Sequence, residues 1–239
     1  MSDFQFGQHI SQQFNAELDA LRNRVLNMGG LVEQQVINAV KSLAQGDSAL
    51  AEAVIENDHK VNAIEVSIDE QCTQILARRQ PTASDLRLIL AVIKTISDLE
   101  RMGDQAEKIA RIGLRLVDRE RPNNDYFEIH SLGELVQMML RDSLDAFARM
   151  DAEAALEVAT KDEKIDLEYE GIMRQHVTYM MEDPRMIKRS LEVIWAIRAL
   201  ERVGDHAKNI CEYIIYLVKG KDVRHTTLAQ MKEAALSDR

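Results

Sequence analysis

Residues 98–109 read DLERMGDQAEKI, and the pattern returns at 199–210 as ALERVGDHAKNI, an offset of 101. Self-similarity at such a distance marks a duplicated unit. Upstream, NDHKVN (57–62) matches KDEKID (161–166) at an offset of 104. The breaks recur as well: Gly46-Asp47 pairs with Met150-Asp151, and Pro81 with Pro184. The drift in offset places a loss of a few residues between the second and third elements of the second copy.

Each copy reads as three long helices. The first copy has them at about 9–45, 48–79 and 83–119, and the second at about 126–149, 152–182 and 186–219. Pro81, Pro122 and Pro184 fall where helices meet, because proline is tolerated in a first turn and not in a helix interior. Asp47, Thr82, Asn124 and Asp151 are N-cap candidates beside those breaks. In the sixth helix Leu191, Ile194, Trp195, Ile197, Leu200, Val203 and Ala207 recur at steps of three and four, the period of one helix face. The fold class that follows is all-α, as two tandem up-down three-helix bundles. Residues 1–121 form the first repeat, 122–220 the second, and 221–239 a polar tail expected to fray.

Composition agrees. Aromatic residues make up 5% of the chain, with three prolines and ten glycines, too few turn formers for a sandwich or barrel. The formal net charge of −10 repels a phosphate backbone, so a nucleic-acid partner is not expected. No run of about 18 apolar residues occurs, and the N-terminus lacks the basic start and apolar core of a secretory signal. Cys72 and Cys211 show no zinc or redox spacing and read as half-buried helical thiols in a reducing cytoplasm. Met28, Met138, Met139, Met180 and Met181 read as packing residues.

The chemistry-bearing residues sit on the duplicated helices. Side chains four apart on a helix share a face. Glu100 and Asp104 have that spacing, as do Glu201, Asp205 and Asn209, Asp58 and Asn62, and Asp162, Asp166 and Glu170. Gly103 and Gly204 lie on the apolar stripe, where glycine costs about 1 kcal/mol relative to alanine, so each implies the close approach of a neighbouring helix. Stacked carboxylates with an amide oxygen nearby are hard-ligand chemistry suited to a divalent cation. The competing account is a solvated acidic face in which Arg101 and Arg202 pair with neighbouring acids, and spacing alone does not choose. Glu56 and His59 make one ExxH where a di-iron bundle needs two, so His59 reads as a surface residue. His206 stands where the first copy has Gln105, which keeps it out of any site common to both repeats. No Gly-rich phosphate loop or nucleophile signature is present.

The paired DLERMGD and ALERVGDHAKNI segments resemble the E/D-x-x-x-D signature of the PhoU family. ISQQFNAEL, MGGLVEQQV, RRQPTASDLRL, DAFARMD, TYMMEDPR and YLVKG extend the resemblance over nearly the whole chain. It implies a non-enzymatic, often dimeric cytoplasmic regulator at the inner membrane face. Such a protein represses the phosphate-starvation response by contacting a sensor histidine kinase and the ATPase subunit of a phosphate ABC importer. It also implies a metal (Mg, Mn, Zn or Fe) held by Asp58, Asn62, Glu100 and Asp104 in the first copy and by Asp162, Asp166, Glu201, Asp205 and Asn209 in the second. Because Asn62 replaces an aspartate and Lys108 stands in the place of Asn209, the second repeat is expected to hold metal better. The alternatives are a metal-dependent phosphohydrolase and a metal-buffering helical protein.

Overall fold

Gly46 and Asp47 end one helix and begin the next by separate devices. Gly46 turns the chain with a left-handed φ of 67°, which costs glycine little. Asp47 then accepts a hydrogen bond from the Leu50 N–H at 3.0 Å, satisfying one free donor of the next helix. The second copy repeats the turn without the glycine. Met150 takes φ 53°, and Asp151 accepts from the N–H groups of Glu153 and Ala154. A side chain in that backbone region costs about 1–2 kcal/mol, here offset by Met150 N–H bonds to the Ala146 and Phe147 carbonyls.

The computed structural model describes residues 12–117 and 126–237. These form α1 (Gln12–Gln45), α2 (Ser48–Arg79), α3 (Ala83–Val117), α4 (Phe127–Arg149), α5 (Ala152–Ala159), α6 (Asp162–Glu182), α7 (Ile187–Lys219) and α8 (Leu228–Leu236), with a 3-10 turn at Pro184–Met186 before α7. Pro122, the Asn124 cap and the expected start of the first helix lie outside the described residues. At the third break Thr82 holds the cap position before α3, and its N–H and hydroxyl both donate to the Asp85 carboxylate.

The fold is all-α, two three-helix bundles side by side. In the first, α1, α2 and α3 pack on one another; in the second, α4, α5 with α6, and α7 do the same. Two antiparallel contacts join them. Arg87 Nε donates to the Leu217 carbonyl at one end of the α3–α7 contact, and Arg115 pairs with Glu192 at 2.8 Å at the other. A Cβ on Gly29 would lie 2.6 Å from Leu144, and one on Gly133 would lie 2.7 Å from Val40, so α1 and α4 run close together. The core is therefore continuous: α1, α3, α4 and α7 are its inner layer, and α2 and α5–α6 flank it.

Several features differ from expectation. The fifth helix is broken at Thr160-Lys161, giving α5 and α6. The Thr160 hydroxyl takes the Glu157 carbonyl at 2.6 Å, Lys161 N–H bonds back to Val158, and Asp162 and Glu163 favour a new helix start. The aligned Glu56-Asn57 continues α2 unbroken. Next, the tail carries α8, opened by a capping box in which Thr227 and Gln230 bond reciprocally and held by buried Met231 and Ala235. Finally, α7 meets α3, α4, α5 and α6, so one stripe does not describe it. Val193, Ala196 and Ile210 join its buried set, while Trp195 is 46% exposed. Met28 and Met139 are core residues as expected, but Met138 and Met181 are exposed. Cys72 and Cys211 are fully buried, and burial pushes both thiols up, Cys72 to about 12, which keeps them protonated.

Candidate functional site

In the first repeat α2 and α3 run antiparallel and bring their acidic faces together. Asp58, Asn62 and Glu65 of α2 face Glu107, Asp104 and Glu100 of α3. Gly103 allows it. A Cβ there would lie 3.3 Å from Asp58 Oδ1 and 3.6 Å from Val61, so the glycine admits α2 closely. The Asn62 amide donates to Asp58 Oδ2 at 3.1 Å, leaving Asp58 Oδ1 and Asn62 Oδ1 buried without a partner.

This cluster is under electrostatic stress. The Asp58 carboxyl is raised above the ordinary carboxylate range by burial first, then by Glu107 and Asp104. Burial and Asp104 raise Glu100; burial and Glu107 raise Asp104; burial and Asp69 raise Glu65. Arg101 and His59 oppose these shifts from a distance. Glu107 pairs with Arg111 of its own helix at 2.5 Å, and among the described residues the other four acids form no ion pair. Glu65 and Glu107 are members that the i, i+4 reading missed. Each sits three residues beyond its neighbour, Asn62 or Asp104, and completes a two-turn face; the i+3 spacing was the available signal.

The second repeat places its acids alike and pairs two of the four with cations. Asp162 is buried and accepts from the Lys208 ammonium, and Glu201 accepts from Arg198 at 2.6 Å. Burial works against the Lys208 charge, but the Asp162 bond raises its proton affinity overall. Asp166, Glu201 and Asp205 are raised by burial first and then by the neighbouring acids, with Arg198 opposing all three. Lys208 aligns with Glu107, so a cation replaces an acid at the position that faces the cluster. Lys108 and Asn209 align one residue further on and do not face it: Lys108 is exposed, and the Asn209 amide donates to Asp98 of α3 at 3.2 Å. The expectation that the second repeat holds metal better rested on Lys108 and Asn209, which do not face the clusters. Among the described residues, four acids of the first repeat are left without an ion pair, against two of the second. Glu170 is exposed and lies 3.7 Å from Arg174.

His206 belongs to a different arrangement. Its Nδ1 bonds Asp98 Oδ1 at 2.7 Å, and both residues are buried between α7 and α3. With Asp205, Asn209 and Tyr213 it lines a cleft of about 610 Å³ bounded by the α5–α6 junction, α7 and the approach to α8. His59 is exposed, its ring nitrogen on the Glu56 carbonyl.

Among the described residues no three His, Cys, Asp or Glu side chains converge closely enough to hold a metal ion by themselves. The first-repeat donor set nonetheless fits a hard cation: carboxylates raised by burial and then by one another, with two buried oxygens that lack donors. A duplicated helical protein with one acidic cluster between the second and third helices of each repeat is the class that fold and site define. The PhoU domain model matches residues 25–113 and 129–214, and the chain belongs to that family.

The relatives agree over almost the full length. The chain is 54% identical over 231 residues to the phosphate-specific transport system accessory protein PhoU homolog of Pseudomonas aeruginosa, covering 97% of this chain and 96% of that one. It is 50% identical over 225 residues to the phosphate-specific transport system accessory protein PhoU of Escherichia coli K12, covering 94% and 93%. The crystal structure of PhoU from Pseudomonas aeruginosa superposes with a TM-score of 0.85 at 54% identity, covering 87% of this chain and 100% of that one. That of the phosphate transport system regulatory protein PhoU from Streptococcus pneumoniae gives 0.82 at 35% identity, covering 88% and 99%.

Proposed function

We propose that this chain is an accessory regulator of a phosphate-specific transport system, working as an adaptor and not as an enzyme. The observation that carries the reading is likeness over more than nine-tenths of the chain to accessory proteins of that system. The finer reading is a negative regulator of the phosphate-starvation response. It acts in the cytoplasm, at the inner membrane face through its partners, as a homodimer contacting the importer ATPase and a sensor histidine kinase. No helix of the described residues is long and apolar enough to cross a membrane.

The acidic clusters supply the control element of this reading. Divalent magnesium or manganese is the favoured occupant, because the first-repeat donors are all oxygen. Asp58, Glu100 and Asp104 would hold it with help from Glu65 or Glu107, and its charge would offset the burial and the repulsion that raise their proton affinity. Like charges on α2 and α3 push those helices apart until a cation is shared, which couples cation level to the geometry a partner meets.

The test is capture of the sensor kinase and the importer ATPase by wild type and by an Asp58→Asn/Asp104→Asn variant, each with manganese and with chelator. Capture by wild type that fails in the variant or in chelator supports a cation-organised adaptor. Equal capture throughout rejects the role of the cluster. Absence of capture, together with unchanged phosphatase repression on deletion in high phosphate, rejects the regulatory reading itself.

A further inference from the structure

The cation reading draws on α2 and α3, yet α1 reaches the same place through Gln35. Gln35 is 6% exposed, and neither its Oε1 nor its Nε2 has a hydrogen-bond partner. A buried amide with both polar atoms unmatched is costly and rare, so its placement calls for something to bind. Its position is well defined. A Cβ on Gly103 would lie 3.3 Å from Gln35 Oε1 and 3.3 Å from Asp58 Oδ1, so the two orphaned oxygens converge on one point of α3, between Glu100 and Asp104. Asn62 Oδ1, one turn from Asp58, is a third unpartnered oxygen on the same side.

The second repeat lacks this element. Carrying the 104-residue offset of the first helix onto α4 puts Met139, fully buried, in the place of Gln35. Around Gly204 the nearest atoms belong to the Ile165 side chain, where Gly103 meets two oxygens. Among the described residues carboxylates alone do not close on a cation in either repeat, and in the first repeat Gln35 brings a neutral oxygen from a third helix to the same place.

We infer that Gln35 Oε1 is a ligand of the first-repeat cation site, which thereby spans α1, α2 and α3 and takes a hard, oxygen-preferring divalent cation of the magnesium–manganese class. The inference rests on the cation reading proposed above. A thioether at this position, as in the second repeat, is a poor donor to such an ion. The competing role for Gln35 is structural, through an amide hydrogen bond to Asp58 in another rotamer.

The experiment is a titration of full-length protein with manganese, following free ion by electron paramagnetic resonance, alongside thermal unfolding in chelator. Wild type, Gln35→Met, Gln35→Glu and Asp104→Asn are compared. Ligation predicts that Gln35→Met weakens first-repeat manganese binding roughly tenfold while its midpoint in chelator stays at or above that of wild type. Gln35→Glu, which keeps an oxygen there, retains the binding. Manganese affinity unchanged in Gln35→Met but lowered in Asp104→Asn would overturn the inference and leave the cation reading standing. A lowered midpoint in chelator with unchanged affinity would assign Gln35 the structural role. Wild type with no saturable manganese site would remove the cation reading and this inference together.

Discussion

Replacing Asp104 by asparagine should make the metal-free protein more stable. Asp104 makes no hydrogen bond or ion pair that asparagine would lose, and it interacts unfavourably with Glu100 and Glu107 on its own helix and with Asp58 and Glu65 across from it. Like-charge pairs at helical spacing cost about 0.2–0.5 kcal/mol each, and the cross-helix pairs are of the same order near a surface. Relief of four such pairs comes to roughly 1 kcal/mol, a rise of about 2–4 °C in midpoint for a chain of this size. The assay is thermal unfolding by circular dichroism with chelator at low ionic strength, repeated near 1 M salt, where the gain should shrink as the Debye length falls to about 3 Å. On the cation reading the order should reverse with manganese, because the tighter binder is stabilised more. A midpoint in chelator that is unchanged or lower in Asp104→Asn would refute the claim that this cluster stores unneutralised repulsion.

The second repeat should respond oppositely: Asp162→Asn strands the Lys208 ammonium and should cost about 2 kcal/mol in a denaturant titration, so a gain would contradict the pairing. Gly133→Ala should destabilise by about 1–3 kcal/mol, because the new methyl meets the stiff Val40 side chain, whereas Gly171→Ala, with nothing within 4 Å, should stabilise by up to about 1 kcal/mol. Burial raises Glu212 from 4.5 to about 7, so the folded state binds this proton more tightly than the unfolded chain. Stability from that group is full below pH about 4.5 and is lost as pH rises through about 7, and Glu212→Gln should flatten the pH profile over that window. Thr227→Ala removes the α8 capping box and should speed amide exchange in α8 while leaving α3 and α7 protected.

The repeat, the helix count of the first copy and the close approach at Gly103 and Gly204 were legible because each leaves a local pattern: an offset, a periodicity, or a glycine where alanine would do. The α5–α6 break was not, since it turns on a threonine hydroxyl taking a carbonyl in a stretch whose aligned partner stays helical. Trp195 was misplaced because α7 is covered from several directions, and a single-stripe reading cannot represent that. The charge balance of the two sites turns on Lys208 and Arg198, which stand where the first copy has Glu107 and Ser97. Lys108 and Asn209 drew attention as an aligned difference, but a step of one residue turns about 100° around a helix and takes them off the acidic face. Gln35 gave no signal in sequence, because its role depends on a helix packed across from Gly103 and not on spacing within its own.

The antiparallel meeting of α3 with α7 bears on how the chain melts and on what it descended from. Leu88, Val92, Ile96 and Leu99 are fully or almost fully buried on α3, the most extensive partner of α7. Severing the chain between residues 117 and 126 would strip each half of a covering surface. The intact chain should therefore melt in one cooperative step, with calorimetric and van't Hoff enthalpies equal, and not in two. An isolated half would have to find a replacement surface, and the nearest match is a second copy of itself, arranged about a two-fold axis as α3 and α7 are now. The chain is in that sense a dimer made covalent, and its linkage left each half free to diverge, one leaving most of its acids unpaired and the other pairing two of its four.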